Sequence, residues 1–145
     1  MVCALFGNRQ IWGDLEPLLT KTLSGLIEST PSIQFLLGTQ GDFDALALRV
    51  LKKLATRYPH MEYTVVLAYL PTEKDHLSTI DFSCTLFPQT LEKVPLRFAI
   101  DKRNRFMLEQ ADTVITYTGY TTGQTEKYKQ IAIKKQKRVI ELSGK

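Results

Sequence analysis

Arg97 to Tyr128 reads RFAIDKRNRFMLEQADTVITYTGYTTGQTEKY, and this stretch decides the fold. Ile100, Arg103, Met107 and Ala111 recur at i, i+3, i+7 and i+11, which predicts a helix with these residues on one face. Ile100 and Met107 make that face the buried one. Arg103 therefore directs a cation along apolar surface, where an unpaired charge is unfavourable. Either a carboxylate of the chain meets it or an anionic ligand does. Asp112 to Tyr117 (DTVITY) follows as a β-branched strand. The loop from Thr118 to Thr125 then opens at that strand's carboxyl end, the side on which open α/β sheets hold ligands. A second helix is expected from about Thr125 to Lys137, and a last strand from Arg138 to Leu142.

Upstream, the same alternation repeats. Val2 to Phe6 (VCALF) is a continuous apolar run, as in a strand buried on both faces. Asp14 is placed to cap a helix whose apolar side is Leu15, Leu18, Leu19, Leu23, Leu26 and Ile27, with Pro17 in its first turn. Ile33 to Leu37 (IQFLL) reads as a second strand. Asp42 is placed to cap a second helix, along which Phe43, Leu46, Ala47, Val50, Leu51 and Leu54 keep the helical period. Glu62 to Leu70 reads as a third strand. Thr79 to Phe87 alternates partly, as an edge strand or extended loop. Strands alternating with helices imply an α/β fold: a mostly parallel sheet of five to six strands with helices on both faces. The 145 residues fit one domain, 1–145, with no repeat or linker.

Composition excludes some classes. With 43% hydrophobic and 23% charged residues the chain is ordinary globular material. It has neither an apolar run of bilayer length nor a signal-peptide pattern, so no membrane association is expected. Cys3 and Cys84 lack metal-ligand spacing and read as buried free thiols of a reducing, cytoplasmic compartment. His60 and His76 have no partner at metal spacing, so no metal and no cofactor is expected. The net charge of +4 owes much to Lys127, Lys129, Lys134, Lys135, Lys137 and Arg138. Apart from Tyr128, no aromatic residue interleaves with this cluster as a nucleic-acid stacking platform requires, so it reads as a solvated helix face.

Three strands end in glycine-bearing loops that lead to helices: Gly7-Asn8-Arg9, Gly38-Thr39-Gln40-Gly41 and Thr121-Thr122-Gly123-Gln124. Glycine allows a ligand close to the backbone, and a helix N-terminus offers free N–H donors. Together with Arg103 the loops imply a phosphate-binding rim. Arg9 is placed to clamp a phosphate, or is an exposed loop charge. Asp44 is placed to accept from a ribose hydroxyl, or rests in its helix's first turn, where the dipole favours a carboxylate. Asn104 is a donor to a ligand hydroxyl or a surface amide. Trp12 is a stacking partner for a base or packs on the first helix. Arg105 lies four residues from both Asp101 and Glu109, and i, i+4 salt bridges account for it.

This combination resembles the SLOG superfamily of Rossmann-like domains, in its YpsA-like branch. That superfamily also holds the lonely-guy phosphoribohydrolases and the DNA-processing protein A domain. The resemblance is carried by Gly7-Asn8-Arg9 after the first strand, Gly38-x-x-Gly41-x-x-Asp44 after the second, and the run FAIDKRNRFMLEQADTVI. Thr122-Gly123-Gln124 ahead of the last helix completes it. It implies a nucleotide or nucleotide-derived ligand at the carboxyl edge of the sheet, and a homo-oligomer. Asn8 stands where the branch usually has histidine, and Thr122 where its last loop has a first glycine. The lonely-guy arginine, four residues before a methionine, is matched by Arg103 before Met107. Their catalytic glutamate falls at Tyr128; Glu126 is nearby but out of register. The expected function is therefore binding, as a sensor or a store, of a nucleotide-derived small molecule. The alternative is an N-glycosidic-bond hydrolase of the nucleoside-monophosphate phosphoribohydrolase type, with Glu126, Asp44 or Asp42 as its carboxylate. A DNA-binding domain, motivated by the terminal lysines, ranks last.

Overall fold

A computed structural model describes residues 1–69, 84–119 and 123–142. Among them six strands form one all-parallel sheet: β1 (Val2–Gly7), β2 (Ile33–Leu37), β3 (Met61–Val66), β4 (Thr85–Leu86), β5 (Thr113–Tyr117) and β6 (Arg138–Glu141). Their order is β4-β3-β2-β1-β5-β6. The helices are α1 (Glu16–Glu28), α2 (Gly41–Ala55), α3 (Leu96–Gln110) and α4 (Gln124–Lys134). This is the Rossmann-like α/β architecture, with its direction reversing between β1 and β5.

Period-two alternation along β1 sorts the core into two layers. Cys3 and Leu5 join residues of α1 and α2, while Ala4 and Phe6 join Met107 and Leu108 of α3 and Tyr128 and Ala132 of α4. Both faces are thus covered, and a strand without a polar face is what such burial requires. The Cys3 thiol is buried, which pushes it up to about 12. Cys84 is half-buried rather than buried.

Element ends depart from the sequence reading. Leu15 occupies the cap position of α1 without a side-chain bond, and Asp14 beside it accepts from the Glu16 N–H at 3.3 Å. The second helix already begins at Gly41, so Asp42 lies inside its first turn. The third strand stops at Val66, and of the Thr79–Phe87 stretch the described part forms only β4. Residues 79–83 of that stretch lie outside the described residues. The last helix stops three residues early, because Gln136 adopts φ 60°. The N–H groups of Gln136 and Lys137 turn back to the carbonyls of Ile133 and Ala132. That is a Schellman closure made without glycine, so the sequence carried no mark of it.

Candidate functional site

At the carboxyl edge, beside the reversal between β1 and β5, lies a cleft of about 390 Å³. Open α/β sheets bind ligands at such points, and pockets for small molecules start at about this volume. Gly7, Asn8, Arg9, Gly38, Asp44, Arg103, Asn104, Gly123 and Gln124 line it, as sequence placed them. Thr39 and Gly41 do not. Thr121 and Thr122 lie outside the described residues. Gln10, Trp12, Gln40, Ile100, Thr125 and Tyr128 line it as well. Gln40 lies between the two glycines of its loop. Thr125 and Tyr128 are one helical turn apart on α4, a spacing that would have revealed them together.

The glycines act differently from expectation. A Cβ on Gly7 would lie 2.0 Å from the Phe43 ring, and one on Gly38 2.8 Å from Cζ of Arg103. Gly41, at φ +83°, would meet the Arg9 backbone at 2.6 Å. The room the missing side chains leave is taken by the chain itself. These glycines let the loops and Arg103 pack on one another, and Gly41 packs on Arg9 without lining the cleft.

Arg103 is the charged centre. Its helix face packs on the sheet through Ala99, Met107 and Leu108, and the arginine between them is 1% exposed. Its Nη1 donates to the Val66 carbonyl at 3.0 Å, closing the end of β3. Its Nε donates to Asn104 Oδ1 at 2.8 Å, so Asn104 orients the guanidinium. Burial lowers its pKa, with Asp44 acting against the shift. No carboxylate among the described residues pairs with it at ion-pair distance. The question raised by its helical position is therefore answered on one side: a carboxylate of the described chain does not neutralise it by contact.

Asp44 is the second buried charge of the cleft, 9% exposed. Burial pushes its carboxyl up to about 6, against the Gln40 N–H donated at 2.8 Å and the Arg103 cation. Asn8 donates its amide to the Thr118 carbonyl, joining the loops after β1 and β5. The Trp12 N–H donates to the Tyr117 hydroxyl at 3.1 Å, and the Tyr117 ring stacks on Phe43 at 6.1 Å. Tyr128 stacks on Phe6 at 5.6 Å and donates to Asp101 at 2.7 Å.

Other expectations are corrected. Glu126 does not line the cleft; its carboxylate runs along α4 and accepts from Gln130 at 3.0 Å. Arg105 pairs with Asp101 at 2.9 Å, and the second pair, with Glu109, does not form. Lys127, Lys129 and Lys137 are bound to Asp101, Glu141 and the Ala111 carbonyl, which leaves Lys134, Lys135 and Arg138 as the exposed remainder of the basic cluster. No described helix is long and apolar enough to cross a membrane. No family model and no curated protein matches the chain.

Proposed function

We propose that the chain is a SLOG-like domain that binds a nucleotide or nucleotide-derived anion in this cleft. One observation carries the reading. Arg103 is 1% exposed, lines the cleft, and has N–H donors left over after Val66 and Asn104, with no contacting carboxylate among the described residues. A buried cation with unused donors is unfavourable alone and favourable with an anion. The N-terminal residues of α4, Gln124 and Thr125, add the positive end of a helix to the same cleft. A thermal-shift panel of nucleoside monophosphates, cyclic nucleotides and ADP-ribose tests it. Some members are expected to raise the melting temperature of the wild type, and Arg103→Met to lose that shift while still unfolding cooperatively. No shift across the panel would count against the reading.

A second reading has one observation behind it. Asp44 is a carboxyl pushed up to about 6 inside the cleft, the range of a general acid or base at neutral pH. With Glu126 turned away, an N-glycosidic-bond hydrolase would use Asp44. Free base released from a nucleoside monophosphate by the wild type and not by Asp44→Asn would establish that reaction; intact substrate would leave binding as the activity.

A further inference from the structure

If the cleft only binds, the anion role of Arg103 leaves Asp44 without a task. One oxygen of Asp44, Oδ2, accepts the Gln40 N–H. The other takes no hydrogen bond from a described residue. No fully buried side-chain polar atom among them lacks a partner, so that oxygen is not sealed from solvent, and Asp44 lines the cleft. A carboxylate this buried, if structural, is expected to close an ion pair or fill its acceptor sites. Arg103 lines the same cleft from the opposite face of the sheet, yet the two form no ion pair. Among the described residues, the cleft thus offers a cation with unused donors and a carboxylate with an unused acceptor.

We propose that Asp44 is the specificity-determining residue of the cleft: it selects an anion that also carries hydroxyl donors, and it rejects a bare dianion such as inorganic phosphate. The inference rests on the anion-binding reading of Arg103. A hydroxyl supplied by the ligand fills the open oxygen, whereas a ligand lacking it leaves a buried acceptor unpaired. A bare dianion close enough to reach Arg103 is repelled by the same carboxylate. Among the described residues, the groups acting on Asp44 are the Gln40 N–H at the cap of its own helix and Arg103 from α3, and Arg9 of the β1–α1 loop lines the same cleft. Tyr69, after β3, lies beyond the Gln40 side chain, and Tyr128 of α4 lies near Arg103. With the carboxyl at about 6, repulsion operates at neutral pH and disappears below that range.

Isothermal titration with three probes tests the proposal: adenosine 5′-monophosphate, its 2′,3′-dideoxy analogue, and inorganic phosphate. The wild type is expected to bind the hydroxylated nucleotide about tenfold or more tightly than the dideoxy form, a ratio that collapses toward one in Asp44→Ala. Asp44→Asn, the conservative variant if alanine disturbs folding, is expected to bind phosphate about tenfold more tightly than the wild type at pH 7.5, and about equally at pH 5. Binding that depends on Arg103 but shows the same ratios with and without the Asp44 carboxylate would overturn this inference alone. Failure of the folded wild type to bind any of the three probes would overturn this inference, and the absence of a thermal shift across the nucleotide panel would overturn the anion reading with it.

Discussion

At the β6 edge, the side chains of Lys129 and Glu141 are 12% and 6% exposed and close a salt bridge of 3.2 Å. At the carboxyl ends of β1 to β3, Arg103 and Asp44 are buried to a similar degree and close none. Glu141 also accepts from the Thr116 hydroxyl at 2.8 Å and the Thr118 N–H at 3.1 Å, so its capacity is spent tying β5, β6 and α4 together. Burial of charge does not by itself mark a site. Unfilled hydrogen-bonding capacity beside a cleft does, because a satisfied cluster has nothing left to offer a ligand.

The same replacement of the lysine and of the arginine should separate the two clusters. Lys129→Met leaves Glu141 buried without its cation and is expected to lower the unfolding free energy by about 3 kcal/mol. Arg103→Met orphans no contacting carboxylate and removes a desolvated cation, which offsets the partner lost by the Val66 carbonyl, so its stability should lie within about 1 kcal/mol of the wild type while nucleotide binding is lost. Urea unfolding measures both. Equal losses would mean that Arg103 is as structural as Lys129.

The pH profile sharpens the contrast through Asp44. Its folded value, about 6, lies above the ordinary 3.8, so the folded state favours the protonated acid. Its unfavourable contribution is absent below about pH 4, grows as pH rises toward 6, and is complete above that. At pH 7 the shift corresponds to roughly 3 kcal/mol. Asp44→Asn should therefore remove a fall in stability between pH 4 and 6 and raise stability at neutral pH. A flat wild-type profile over that window would show that Asp44 is not destabilised by its burial.

Gly38 tests how closely Arg103 is fitted. A methyl group there would lie 2.8 Å from Cζ of Arg103, so Gly38→Ala should lower stability by about 2 kcal/mol and displace the guanidinium. Combined with Arg103→Met the loss should shrink, since the flexible thioether can yield. Strictly additive losses would show that the glycine serves backbone conformation and not the arginine.

Sequence carried the fold because strands buried on both faces leave continuous apolar runs such as VCALF, and because α3 places an arginine among apolar residues at helical spacing. It carried the cation of the cleft for the same reason. It did not show what fills the glycines. Phe43 over Gly7 and Arg103 over Gly38 are contacts between distant segments, and a glycine that admits a side chain looks the same in sequence as one that admits a ligand. Nor did it distinguish the carboxylates. Asp44 and Glu126 both lie in first helical turns, and burial alone separates them. Gln136 escaped because a left-handed residue other than glycine leaves no compositional mark.

The smallest effect is expected at Asp101, which joins α3 to α4 outside the cleft. It accepts from Arg105 at 2.9 Å, Lys127 at 3.1 Å and Tyr128 at 2.7 Å. Partial burial alone would raise its carboxyl, but these donors, Tyr128 foremost, hold it down to about 2. The sign is opposite to Asp44. Its contribution is present above the ordinary carboxylate range and is lost as pH falls toward 2. The carboxylate is well exposed and its charges are screened, so Asp101→Asn should lower stability by no more than about 1 kcal/mol, and by less at high salt. The clearer readout is Tyr128. Burial pushes its hydroxyl up to about 12, and the bond to Asp101 adds to that. Ultraviolet titration of Asp101→Asn should show one tyrosine ionising at lower pH than in the wild type. An unchanged tyrosine titration would mean that burial against Phe6 holds Tyr128 at the cleft without help from α3.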